Sequence, residues 1–196
     1  MRKKSHILLA SYLADQMTAA DSLQLHRKAF CLGSILPDCK PSFLTTRHEF
    51  FGTFESIQEK MQFLVMYGTE ACNERVFWRK IGEILHYIAD YFTFPHNRTF
   101  TGTFMEHNQY EKELKNRLKQ YIKSGEAYLN AVTEPVINFR NLTELTAYVQ
   151  RRHACYLQKE RTVSDDIRYI LSVCMQVVHG MFQLCMEYSS MRLAVV

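Results

Sequence analysis

The sequence is short of the residues that break up a chain. It has seven glycines and four prolines in 196 residues, which excludes a fold of many short strands and tight turns and favours long elements. Its six cysteines, at 31, 39, 72, 155, 174 and 185, form no CxxC pair. That argues against a thiolate zinc site and a disulfide scaffold, and fits thiols in a reducing compartment. Charge of one sign is also scarce. The formal net charge is +4, with acids and bases intermingled, too little to argue for nucleic-acid binding by itself. No apolar run reads as long enough to cross a bilayer. There is no internal repeat, no low-complexity tract and no conspicuous serine or cysteine nucleophile.

What is present is hydrophobic mass, 47% of the residues, and helical periodicity. The opening MRKKSHILLASYLADQM imitates a secretion signal, but Ser11, Tyr12 and Asp15 interrupt it, and it reads as a first helix over 5–17. Further helices are expected over 22–33, ending at Gly33 and Pro37, over 54–68, ending at Gly68, over 74–94, ending before Pro95, and over 104–123. Residues 40–48 read as loop. The last third gives helices over 143–158 and 164–190, the second with Ile167, Ile170, Leu171, Cys174, Val178, Phe182 and Cys185 on its apolar stripe. Asp165 and Asp166 lie where a helix N-terminus favours negative charge. The segment around Pro135 could be a linker, but one all-α domain over 1–196 is the simpler reading.

The chemistry lies in EILHYIADYFTFPH and MEHNQYE. Residues four apart on a helix project from one face, so His86 pairs with Asp90 and His107 with Glu111. His96 falls between them, beside Pro95. Taken singly, each pair is an ordinary surface salt bridge. Two pairs within 26 residues, joined by a histidine at a helix break, give H-x3-D-x5-H-x10-H-x3-E. Imidazole and carboxylate suit zinc where thiolate is absent.

This series resembles that of the bacterial zinc-dependent phospholipases C, whose fold is shared with single-strand-specific zinc nucleases. The resemblance extends upstream to His6 in KKSHILLA, Asp38 in GSILPDCKPS and His48 in TTRHEF. It covers residues 6–111; beyond these only helical character is shared. It implies a multi-helix zinc fold with His48, His86 and Asp90 on one zinc and His96, His107 and Glu111 on a second. His6 would help hold a third, with Asp90 bridging it to the first. Asp38 matches the family's acidic residue beside the metals, a general base or water orienter. One departure stands out. Secreted members begin at a mature Trp whose amino and carbonyl groups complete the third site, whereas here five residues precede His6 and the single Trp is Trp78. A Met followed by Arg is expected to be retained, which leaves the third site empty, weak, completed by another ligand or reached by Met1 itself.

The resemblance implies phosphodiester hydrolysis by metal-activated water, with two zinc ions and an open question over the third. The substrate is expected to be a phospholipid or another phosphodiester. The alternatives are the same chemistry on a nucleotide, nucleic acid or phosphomonoester, and a non-catalytic zinc-binding scaffold. No stable nucleic-acid complex is expected. A cytoplasmic location is expected, with secretion left open; oligomeric state is not legible. Phe43, Phe50, Phe51, Phe54, Tyr91, Phe92 and Phe94 read mostly as core, or as walls for an acyl chain or choline-like group. Lys112, Lys115, Lys119 and Lys123 form a basic stripe, a solvated face by preference and a peripheral membrane contact otherwise. His26, His153 and His179 read as partly buried, hydrogen-bonded histidines; for His153, beside Arg151 and Arg152, a phosphate contact is a weaker alternative.

Overall fold

The computed structural model describes residues 1–17, 21–40, 48–158 and 162–193. Among these the chain forms nine α-helices and no strand: α1 (Lys3–Gln16), α2 (Asp21–Leu25), α3 (Arg27–Gly33), α4 (Phe50–Ala71), α5 (Glu74–Tyr91), α6 (Phe104–Lys123), α7 (Glu126–Thr133), α8 (Leu142–Leu157) and α9 (Val163–Leu193). Short 3-10 turns follow α3 at Pro37–Cys39 and α5 at Phe94–His96. Most of the expected loop over 40–48, together with Phe43, lies outside the described residues.

α5 organises the molecule. Asn73 caps it by accepting the Val76 N–H, and its second half is buried on nearly every side: Ile84, Leu85, His86, Ile88, Ala89, Asp90 and Tyr91. Such a helix needs neighbours all round, and α3, α4 and α9 supply them. α3 and α5 make the most extensive pairing. A Cβ on Gly33 would lie 2.0 Å from the Arg79 carbonyl oxygen, and one on Gly82 would lie 2.2 Å from that of Phe30. Glycine is what lets these two backbones touch.

Several boundaries differ from expectation. The helix over 22–33 is two helices, divided at His26, whose backbone leaves helical geometry while its ring meets Glu74 at 3.1 Å. Gly68 does not stop α4. It lies inside the helix, where a Cβ would press on the Phe77 ring at 3.1 Å, so it marks close packing between α4 and α5. α7 was not anticipated.

The absence of a span-length apolar segment is corrected by Val163–Arg192, which has the length and composition to cross a membrane but lies mostly buried in the protein. It is the core helix against which α4, α5, α6 and α8 pack, and Ile170, Val173, Cys174, Val178 and Met181 are fully enclosed. α1 is equally a core element: Leu9, Ala10, Leu13 and Ala14 have no exposure.

Candidate metal centre

The two pairs on α5 and α6 face one another across the end of the helix cluster. His86 Nε2 lies 3.3 Å from Asp90 Oδ2, and His107 Nε2 lies 3.2 Å from Glu111 Oε1, as their i,i+4 spacing requires. The register of α6 is set by a capping box. Thr103 accepts from the Glu106 N–H, while the Glu106 carboxylate accepts from the Thr103 N–H and hydroxyl. His96 bridges the pairs from the 3-10 turn, 3.3 Å from Glu111 Oε1 and 3.7 Å from Asp90 Oδ2.

Residues distant in sequence complete the cluster. His48 Nδ1 is 2.9 Å from His86 Nε2 and 3.3 Å from Asp90 Oδ2. Asp38 Oδ1, on the turn after α3, lies 3.5 Å from His86 Nε2 and 3.8 Å from His48 Nδ1. His6 stacks on His86 with ring centroids 4.0 Å apart and places Nε2 3.3 Å from Asp90 Oδ1. All seven residues of the expected ligand set, and Asp38, converge. Their donor atoms fall into three groups, each within 4.8 Å: His48–His86–Asp90, His96–His107–Glu111 and His6–Asp38–His86. The third departs from the expected arrangement, since Asp38 stands among the histidines at the same range as the candidate ligands.

The Met1 amino group enters the same cluster. It donates to Asp90 Oδ1 at 2.5 Å and lies 3.0 Å from His96 Nε2 and 3.2 Å from Glu111 Oε1, with no exposure. The Met1 amine thus lies within reach of the site, one of the arrangements open in the absence of an N-terminal Trp.

Burial and charge then work against each other. Burial, seconded by His86, pushes the His6 imidazole down to about 3, so it is neutral at physiological pH. Burial disfavours charge on Asp90, but His96, the Met1 ammonium, His6 and His86 outweigh it and hold Asp90 well below the usual carboxylate range. Burial likewise opposes the charge on Glu111, and hydrogen bonds from His107 and His96 overcome it. Burial opposes the ammonium too, yet Asp90 and Glu111 hold its pKa above the ordinary value. Burial raises the Asp38 carboxyl.

Two observations favour a metal over a purely structural ion network. Among the described residues, His6 Nδ1 is buried without a hydrogen-bond partner and Nε2 has only the Asp90 carboxylate at 3.3 Å, a costly condition unless something else satisfies the ring. His86 Nδ1 donates to the Ser34 carbonyl at 2.8 Å, which fixes the tautomer that turns the Nε2 lone pair into the cluster. Nitrogen and carboxylate donors with no thiolate suit zinc.

Sequence reasoning missed the residues that hold the 94–97 turn. Asp166 lies in the first turn of α9, as its position indicated, but its role goes further. It is fully buried and accepts from the Phe94 N–H at 2.8 Å, the Tyr110 hydroxyl at 2.8 Å and the Tyr156 hydroxyl at 2.7 Å. Asn97 donates to the carbonyls of Tyr91 and Thr93, and its oxygen meets His153 Nε2 at 2.9 Å. His153, stacked on Phe50 with centroids 4.1 Å apart, is thus a buried support. The sequence signal available was polar residues inside apolar stretches. His179 is half-buried, as expected, but its Nδ1 is buried without a hydrogen-bond partner among the described residues. Phe54, Tyr91 and Phe92 are core; Phe51 is 63% exposed.

Helices that gather imidazoles and carboxylates at one buried point define an all-α protein whose donor groups could hold metal ions. A profile of the family described as zinc dependent phospholipase C matches residues 5–163, and the chain belongs to that family. No curated protein and no solved structure gives a match.

Proposed function

We propose that the protein hydrolyses a phosphodiester bond of a phospholipid by zinc-dependent phospholipase C chemistry. The observation that carries this reading is the convergence of eight donor residues at one cleft, with Asp90 within reach of both His6 and His48. His48, His86 and Asp90 would hold one zinc and His96, His107 and Glu111 another; His6, with Asp90 shared and the Met1 amine at hand, would hold a third. When bound, zinc supplies Lewis acidity towards a phosphoryl oxygen and acidifies water at neutral pH.

The chain's own residues do the rest. A cavity of about 590 Å³ opens beside the cluster, bordered by His48, His96, Arg98, Phe100, Phe104 and His107. A phosphate entering there meets the exposed edge of the cluster, since His107 is its most accessible histidine. Arg98 at the rim favours an anionic group. Asp38 orients the attacking water and takes its proton. No side-chain nucleophile is used.

Zinc-loaded protein should release phosphorylated head group from phosphatidylcholine vesicles and leave single-stranded oligonucleotides intact. Oligonucleotide cleavage without head-group release would transfer the same chemistry to nucleic acid. Bound zinc with no turnover on either substrate or on a chromogenic phosphodiester would make the protein a scaffold.

A further inference from the structure

α6 is asymmetric beyond its contribution to the cluster. Its first two residues, Phe104 and Met105, are 82% and 80% exposed, and Phe104 borders the cavity into which His48, His96 and His107 open. At 3.6 residues per turn, Phe104, Met105, Asn108, Lys112, Lys115, Lys119 and Lys123 share an arc of about 100°. His107, Glu111, Leu114 and Leu118 occupy the adjoining arc, which faces the cluster and core.

No carboxylate of α6 lies on this arc. Glu111 is buried, Glu106 closes the capping box with Thr103, and Glu113 pairs with Arg117 at 2.8 Å on another side. The arc's lysines make no ion pair among the described residues, and Lys112, Lys119 and Lys123 are exposed. Arg2 adds a further cation, its guanidinium donating to the Asn108 carbonyl at 2.9 Å. Like charges at i,i+3 and i,i+4 destabilise an isolated helix, and an ordinary solvated face mixes signs. This face does neither of the things that would lower its own energy, so its complement is an anionic surface. The apolar tip beside the site mouth adds a second requirement, a surface that admits hydrocarbon.

We propose that the protein docks on anionic phospholipid bilayers through this face, with Phe104 and Met105 inserted and the lysines over the head groups, which presents the mouth of the metal centre to the membrane. The proposal rests on the phospholipid reading of the site, deepening it, but its test reads binding without catalysis. Full-length protein is sedimented with vesicles of equimolar phosphatidylcholine and phosphatidylserine, and with phosphatidylcholine alone. Binding to the anionic vesicles should be at least about tenfold tighter and weaken with added salt. K112E/K119E should lose at least about tenfold in vesicle affinity, and M105S severalfold, whereas K112R/K119R should bind as the parent does. Hydrolysis of a soluble chromogenic phosphodiester by K112E/K119E should be unchanged, while hydrolysis in anionic vesicles falls with binding. Equal binding to the two vesicle types, or unchanged binding by K112E/K119E, overturns the proposal. Retention of a single-stranded oligonucleotide by this face with no vesicle binding also overturns it, in favour of nucleic acid. Failure of docking with soluble hydrolysis intact leaves the catalytic reading standing; docking without hydrolysis removes only that reading.

Discussion

The α-amino nitrogen of Met1 lies 2.5 Å from Oδ1 of Asp90, 89 positions away in the chain. The pair is fully buried, and Asp90 is also the carboxylate nearest His6, His48 and His86. A chain terminus seldom sits in a core, because its charge must be desolvated. Here the carboxylates of Asp90 and Glu111 offset that cost.

Attaching residues to the Met1 nitrogen, or acetylating it, should therefore disturb the centre more than an equal addition at the other end. The expected outcome is fewer zinc ions per chain by elemental analysis and lower stability of the metal-free protein in urea, compared with a C-terminally tagged control. Equal zinc content in both forms would show that the amine contributes nothing to metal binding.

Asp90→Asn should leave the Met1 ammonium buried without its main partner. Breaking one side of a buried pair costs about 3–5 kcal/mol, measurable as a shift in the urea midpoint of the metal-free protein. Zinc content should fall as well, because the carboxylate shared between His6 and His48 is lost.

His86→Ala removes an imidazole shared by two donor groups, and His107→Ala removes one from the remaining group. Either substitution should sharply lower bound zinc, and chelation of the parent should lower its Tm, since a metal held only by the folded state stabilises that state. Unchanged zinc occupancy in both variants would overturn the ligand assignment.

Gly82→Ala tests how the fold delivers the site. Its Cβ would meet the Phe30 carbonyl oxygen at 2.2 Å, pushing α3 from α5 and with it the Ser34 carbonyl that orients His86. Overpacking of this kind costs about 1–3 kcal/mol, and zinc affinity should fall although no ligand is changed. Thermal melts and zinc titration check both.

Asp166 makes a pH prediction. Burial raises its carboxyl to about 6, against the opposing donors Phe94 N–H, Tyr156 and Tyr110. The folded state thus keeps a proton that the unfolded chain releases near its usual value of 3.8. Stability from this residue is fully present below about pH 4 and is lost as pH rises to about 6, some ~2–3 kcal/mol in total. Metal-free Asp166→Asn should lack that segment of the stability profile when melts of the two proteins are compared across the window. Parallel profiles would mean that the three donors outweigh burial.

The sequence by itself determined most of the helices, though not α7 or the division of α2 from α3, and the two i,i+4 pairs, because both depend on spacing within one turn: α6 spans Phe104–Lys123, as its pattern indicates, and His86–Asp90 and His107–Glu111 follow from helix geometry. His6, Asp38 and His48 were legible only through their order along a resembling family, since no local rule links them to α5. Tertiary structure alone decided the rest. It made Gly68 a packing contact, turned the apolar length of α9 inward, brought the Met1 amine to Asp90, and used Asp166 and Asn97 to hold the turn that carries His96. These outcomes depend on which helix faces meet, and the free energy that settles this is shared across a whole core rather than encoded in any short stretch of chain.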